Sequence, residues 1–276
     1  MNFEVERRTI TEKDAILYAL GLGCASDGPL GKDLDFVYEK RLRPLPTILA
    51  TFGRGGAWTR NPALGLHWQH ILHAGQSLQI HEPVPLCTPL ICETSVEDIV
   101  DKGADRGCFI SFRKAVMTEQ GRKAIATAGV TIFLPKDGGF GGKSSPSPPR
   151  LEMPQRKPDH QIETVTGANQ ALIYRLSGDL NPLHVDPEVA RLSGVDTPIL
   201  HGLCTYGIAG TAIVRSLCDY QPTRLRLIDV RFTAPVFPGE TIVTEIWQTE
   251  DGHIRFRCIA KERQKVVIDD GAAIIA

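Results

Sequence analysis

The chain lacks most of the features that mark a specialised setting. It has no excess of charge of either sign: the formal net charge is −1, and Lys and Arg form no block, which argues against a nucleic-acid or membrane-surface role. No apolar run approaches the roughly 18 residues that a membrane helix needs. The opening "MNFEVERRTITEKD" lacks the basic-then-apolar order of a secretion signal, and the closing "GAAIIA" is not an address of the Ser-Lys-Leu type. Cysteine is present, but its seven copies are odd in number and never form a C-x-x-C pair. That excludes a disulfide framework or a cysteine zinc site in favour of buried thiols, and the expected location is the cytoplasm.

What remains is an ordinary globular composition, 42% apolar and 23% charged, long enough to bury a substantial core. Its clearest break is "PKDGGFGGKSSPSPPRLEMPQRKP", residues 135–158, rich in Gly, Ser and Pro and without apolar periodicity. Such a stretch reads as a surface linker. We therefore divide the chain into a first part at 1–135, a linker at 136–158 and a second part at 159–276. The parts resemble each other: each has a Pro-Val pair, an alternating apolar segment, an acidic turn, a Phe-Arg strand, a charged turn and a last apolar strand introduced by glycine. Period-2 alternation such as Thr241, Val243, Glu245 and Trp247 against Ile242, Thr244 and Ile246 is the signature of strands. Each part is expected to be an antiparallel meander, and duplication follows. Each also has a helix candidate that reads as buried: "PILHGLCTYGIAGTAIVRSL" at 198–217, rich in small residues that admit close packing, and "PALGLHWQHILHAG" at 62–75. The fold class is α+β, with long antiparallel sheets each wrapped round a central helix.

One loop carries chemistry. In "LSGDLNPLHVDP", a helix-compatible run stops at Gly178, and "DPEVARLSG" begins another helix with Asp186 as N-cap and Pro187 at its first position. Asp179 to His184 thus form a rigid connection, with Pro182 fixing its own φ and pushing Asn181 out of the helical region. Taken alone, "DLNP" reads as an Asx turn with a histidine beside it. The continuation "VDTPILHGL" changes that, because His201 and Gly202 open the buried helix, whose free N–H groups suit a developing oxyanion. Acid, base and anion donors then share one segment.

These residues resemble the hydratase 2 family, the MaoC-like (R)-specific enoyl-CoA hydratases. "YRLSGDLNPLHVDPEVA" carries the family signature in full, with Ala190 as its last element. "TPILHGLCTYG" and "VRFTAPVFPGET" follow at the family's spacing. In the first part "YALGLG", "DLDFVYE", "HAGQSLQIHEPVPL" and "GGFGG" resemble two-part members, so the likeness covers nearly the whole chain. It implies a double hot-dog fold and addition of water to trans-2-enoyl-CoA giving (3R)-3-hydroxyacyl-CoA, or the reverse, with no metal or redox cofactor. The implied roles are His184 as base, Asp179 as proton donor, Asn181 as an orienting group and the Gly202 N–H as oxyanion donor. CoA-ester contacts are implied for His73, Ala74, Lys102 and Phe232, with Leu180, Pro182 and Leu183 lining the loop. The first part has no second copy of the loop, so one site per chain is expected. Residues 73–76 read His-Ala-Gly-Gln where the family more often has His-Gly-x-Gln.

Other signals are weaker. "GLGCASDG" lacks the preceding strand and spacing of a phosphate loop, and reads as a turn. "GGFGG" reads as a flexible turn that the resemblance alone places near the adenine of CoA. Cys204 has no partner base and reads as a core thiol. His67, His70 and His73 recur at helical spacing but have no acidic co-ligand, so no metal is expected. Acyl-CoA is the expected partner, nucleic acid and membrane are not, and a homodimer is expected. The rival functions are a hot-dog thioesterase, which would lack the Asp-x-Asn-Pro-x-His loop, and a dehydratase or non-catalytic binder of carrier-bound acyl chains.

Overall fold

Alternation along the chain becomes ten strands in one antiparallel sheet among the residues that the computed structural model describes, 3–28, 30–53, 57–144, 150–250 and 252–276. The strands are β1 (Glu6–Thr9), β2 (Leu72–Ile80), β3 (Pro89–Asp101), β4 (Cys108–Thr118), β5 (Ala124–Leu134), β6 (His160–Val165), β7 (Leu225–Phe232), β8 (Thr241–Gln248), β9 (Ile254–Ala260) and β10 (Lys265–Ile275). Their order across the sheet is β1-β3-β4-β5-β2-β7-β10-β9-β8-β6. Each run of five strands therefore repeats the same order, and the two runs meet where β2 pairs β7, from Gly75 opposite Arg231 to Gln79 opposite Leu227. This is the expected double hot-dog sheet. The glycine expected to introduce each last strand lies within it instead, at Gly129 and Gly271. There a Cβ would stand 2.5 Å from Ser77 Oγ or 2.2 Å from the Phe256 carbonyl oxygen.

Among the described residues five α-helices accompany the sheet: α1 (Glu12–Gly21), α2 (Leu34–Val37), α3 (Gln170–Tyr174), α4 (Pro187–Leu192) and α5 (Gly202–Leu217). The long one, α5, is buried without a break from Cys204 to Val214. It begins at Gly202 rather than Pro198: residues 198–200 stand outside the helix, with the Leu200 N–H donating at 2.7 Å to Val236 O in the connection between β7 and β8. Its interior glycines cost helix propensity but admit neighbours. A Cβ on Gly207 would lie 2.6 Å from Leu22 Cδ2 and 2.8 Å from Tyr18 Oη, and one on Gly210 would lie 2.8 Å from Thr47 Cγ2. Tyr18 and Leu22 flank the end of α1, so these two glycines let α1 and the Thr47 turn press directly onto α5. All seven cysteines are free thiols, and no helix among the described residues is long and apolar enough to cross a membrane.

The helix expected at 62–75 is absent. Asn61 caps a 3-10 turn at Pro62–Leu64, Gly65 leaves it in the left-handed region, a second 3-10 turn spans Trp68–His70, and β2 has begun by Leu72. A proline and a glycine so close together permit only one turn. His67 is drawn aside to Asp137, its Nδ1 2.7 Å from that carboxylate, and His73 lies in a strand, so the three histidines share no helical face. The buried filling of this half is instead the 3-10 segment Pro46–Thr51, whose Ile48, Leu49 and Ala50 are at most 1% exposed. Of the linker, residues 145–149 lie outside the described residues.

Candidate active site

The loop after α3 is built from interlocking local bonds. A 3-10 turn at Arg175–Ser177 ends at Gly178, whose φ of +123° favours glycine. Asp179 Oδ1 then accepts the Asn181 N–H at 3.1 Å, and Asn181 Oδ1 accepts the Leu183 N–H at 3.3 Å, capping the turn Pro182–His184. Asp186 caps α4 as its position implied, accepting from Glu188 and Val189. Asn181 thus spends its oxygen on the turn, and its amide N–H groups are what it can offer a ligand. Leu180 is 62% exposed, while Pro182 and Leu183 are half-buried.

His184 is buried, and its Nδ1 lies 2.8 Å from the Ile199 carbonyl. A carbonyl only accepts, so Nδ1 carries the proton and Nε2 keeps a lone pair. Burial pushes the ring below the usual histidine range, opposed by the nearby Asp179 charge. The imidazole is therefore a neutral base with its free nitrogen set by its backbone bond.

A residue outside the expected set joins the two. His201, 1% exposed, stacks on His184 with ring centroids 3.6 Å apart and planes 25° from parallel, and its Nε2 donates to the Asp179 carbonyl at 3.1 Å. Tyr174 lies against its other surroundings, 5.0 Å between centroids. Burial keeps His201 neutral by lowering its pKa, and its Nδ1 is buried without a partner. One carboxylate oxygen of Asp179 and one ring nitrogen from each histidine fall within 4.8 Å of one another. Near-parallel stacked rings direct their in-plane lone pairs side by side, not at one point about 2.0–2.1 Å away, so the trio does not fit a tetrahedral metal.

The opposite wall is the start of α5. The Gly202 N–H belongs to the first turn, where amides have no intrahelical acceptor. A Cβ there would lie 3.6 Å from both His73 Nδ1 and the Phe232 ring. His73 and Phe232 are themselves in contact at 4.7 Å between centroids. Burial, with Lys114 adding to it, lowers His73 to about 4. Ala74 is the extra residue of a β-bulge: His73 pairs Ile132 and Gly75 pairs Thr131, which leaves the Ala74 backbone outside the ladder. The glycine of this segment belongs at 75, where a Cβ would stand 3.3 Å from Val230 O. Asp179, His184, Asn181, Gly202, His73, Ala74 and Phe232 thus gather in one place.

Lys102 stands apart. His73, Ile132, Ile110 and Ile99 are in register across β2, β5, β4 and β3, so the β3 end that carries Lys102 is three strand spacings away, roughly 14 Å. Its neighbour Asp101 is a residue that sequence reasoning missed. The Asp101 carboxylate accepts N–H groups from Gly103 (2.9 Å), Gly139 (2.8 Å), Gly141 (2.9 Å) and Gly142 (3.3 Å). Those bonds hold its pKa below the usual carboxylate range. "GGFGG" is therefore not a flexible turn but a loop wound round one carboxylate, with Phe140 55% exposed on its outside. Cys204 is a core thiol as expected, buried and raised by desolvation, donating to Gly21 O at 3.4 Å.

Known proteins share both the sequence and the architecture. Residues 150–270 match the MaoC like domain, and residues 9–135 match the MFE-2 hydratase 2 N-terminal domain. The chain is 40% identical over 272 residues to 3-hydroxyacyl-thioester dehydratase Y of Mycobacterium tuberculosis, covering 95% of this chain and 91% of that one. It is 36% identical over 278 residues to the peroxisomal enoyl-CoA hydratase 2 of Arabidopsis thaliana, covering 95% and 89%. Among solved structures, a MaoC-like dehydratase from Phytophthora capsici superposes with a TM-score of 0.85 at 33% identity, over 100% of this chain and 96% of that one. With its loop, its wrapped helix and both halves matched in order, the chain belongs to the MaoC-like hydratase 2 family.

Proposed function

We propose that the chain adds water across the double bond of a trans-2-enoyl-CoA to give a (3R)-3-hydroxyacyl-CoA, or runs the reverse dehydration. The observation that carries this reading is that an Asp179 carboxylate oxygen and a His184 ring nitrogen fall within 4.8 Å of each other, on a loop that His201, the residue before Gly202, ties to the start of α5. A water held between the two side chains loses a proton to His184 Nε2 as its oxygen bonds C3. The electron pair of the double bond moves toward the thioester, whose oxygen takes charge and is received by the Gly202 N–H. The proton taken by His184 passes to the Asp179 carboxylate, and collapse of that charge draws it from Asp179 onto C2. One hydroxyl and one hydrogen are added, and both side chains end in their starting state. An oxyanion donor of this kind contributes about 2.7–4 kcal/mol, and the sequence of steps needs no metal or redox cofactor.

The CoA ester in this reading enters past His73 and Phe232, with the Ala74 bulge offering unladdered backbone groups. It leads along the sheet edge toward Lys102, a cation suited to phosphate, and the Asp101-pinned glycine loop. The half-buried Pro182 and Leu183 and the exposed Leu180 flank the acyl side. Absorbance of crotonyl-CoA on adding the protein tests the reaction. The enoyl band bleaches with the wild type, and an unchanged band, or release of free thiol, counts against the assignment.

A further inference from the structure

Strand β2 buries an amide where a core has no use for one. Its inward positions after the bulge are Gln76, Leu78 and Ile80, at 2%, 0% and 5% exposure. The strand neighbours of Gln76 are Val130 on β5 and Val230 on β7, neither with a polar side chain. Gln76 Nε2 donates to the Ser77 carbonyl at 2.9 Å. A carbonyl only accepts, so that bond fixes which way round the amide sits and leaves Oε1 to find a donor elsewhere. Oε1 is buried with no hydrogen bond, a condition that folded chains seldom tolerate.

The bulge supplies the complement. On an unbroken strand, residues three apart face opposite sides. Because Ala74 is an extra residue, His73 opposite Ile132 and Gln76 opposite Val130 come to share one face as successive inward positions. His73 Nε2 is also buried with no hydrogen bond. Burial, then Lys114, lowers the pKa of this ring, and the Gly75 backbone, Asp179 and the Gln76 side chain pull it back in part. Gln76 thus already acts on the ring in the sense that an acceptor does.

A neutral imidazole carries a single N–H, and its place decides what the ring can offer. With the proton on Nδ1, two bare acceptors, Nε2 and Oε1, would share one buried space. With the proton on Nε2, Oε1 gains its donor and Nδ1 keeps a lone pair. Nδ1 is the nitrogen turned toward Gly202, 3.6 Å from where a Cβ on that glycine would stand.

We propose that Gln76 is a positioning residue that holds the proton of His73 on Nε2, so that an acceptor, Nδ1, stands beside the Gly202 N–H. The site then presents one donor and one acceptor side by side. On the reading that the substrate is a CoA thioester, its carbonyl oxygen meets Gly202 and the nearest amide N–H of its thiol arm meets Nδ1. The first test is heteronuclear NMR of the full chain labelled with 15N-histidine, in which the two neutral tautomers give distinct patterns and His73→Asn identifies the signal. Wild type should show the proton on Nε2, and Gln76→Met should move it to Nδ1. A proton on Nδ1 in wild type, or one unmoved in Gln76→Met, overturns the proposal. The second test compares crotonyl thioesters of N-acetylcysteamine and of butanethiol, which lacks the amide. Wild type should favour the first in kcat/KM by about five- to tenfold, the worth of one hydrogen bond, and Gln76→Met should lose that preference. Equal use of both by wild type overturns the assignment of Nδ1 to the amide. If Gln76→Met fails to fold, Gln76→Glu, which keeps the acceptor, should retain both the tautomer and the preference, and loss of either counts against the proposal. The tautomer needs no turnover, so failure of the hydratase reading shows separately, as crotonyl-CoA left unchanged.

Discussion

In the second half of the sheet a 16-residue helix, α5, lies against β6, β7, β8 and β10. In the first half the corresponding place against β2 and β5 is held by one 3-10 segment, Pro46–Thr51, which also touches α5. The strand order is the same on both sides, so the difference lies in the filling. A long helix offers free N–H groups at its start, and the loop bearing Asp179 and His184 is tied to that start through His201 and the Ile199 carbonyl. A short 3-10 segment offers no such terminus. The two runs of the sheet thus give two similar walls, and under the proposed function one serves proton transfer while the other meets substrate.

If that division holds, the largest effects come from the loop. Asp179→Asn and His184→Ala should each lower kcat for crotonyl-CoA hydration by about 10²–10⁴. Turnover within a few-fold of wild type in either would remove that residue from the chemistry. His201→Phe retains a stacked ring but cannot donate to the Asp179 carbonyl. We expect kcat to fall about 10- to 100-fold with KM little changed, as displacement of reacting groups predicts, and an unaltered kcat would show that the loop needs no such tie. In the first half, Asp101→Ala should free the glycine loop and raise KM for CoA esters several-fold with kcat nearly kept, the pattern of lost uniform binding.

Two pH effects are smaller. His184 titrates below the ordinary histidine range, so the acid limb of kcat/KM should fall below about pH 6.5; a limb above it would contradict a buried, neutral base. For stability, His73 takes up a proton at about 4 in the fold and about 6.5 when unfolded. The unfolded chain therefore binds more protons as pH falls. The contribution of the neutral ring is complete above about pH 6.5 and is lost toward pH 4, at most about 3 kcal/mol. Denaturant midpoints measured across that interval would check it, and stability rising as pH falls would refute it.

Much of the site was legible because its rules are local. Gly178, Asn181–Pro182 and Asp186–Pro187 each act within one turn, and every one of those caps and stops appears in the structure. The strands were legible from alternation. The first-half helix was misjudged because the apolar spacing of residues 62–75 resembles a helix, while Asn61–Pro62 and Gly65 permit only a single turn. His201 and Asp101 were passed over for a related reason. A histidine before Gly202 and an acid before Lys102 are unremarkable types, and their partners lie 22 and 38 residues away.

From its residues alone the chain determined the strands, the caps of the catalytic loop, the buried glycine-rich helix and the family to which it belongs. Each of those depends on neighbours within a few turns. Only the tertiary structure decided that a second imidazole fastens the loop and that one carboxylate gathers the glycine loop. Those outcomes depend on which distant backbone groups a side chain meets once the sheet has closed, and no local pattern encodes that meeting.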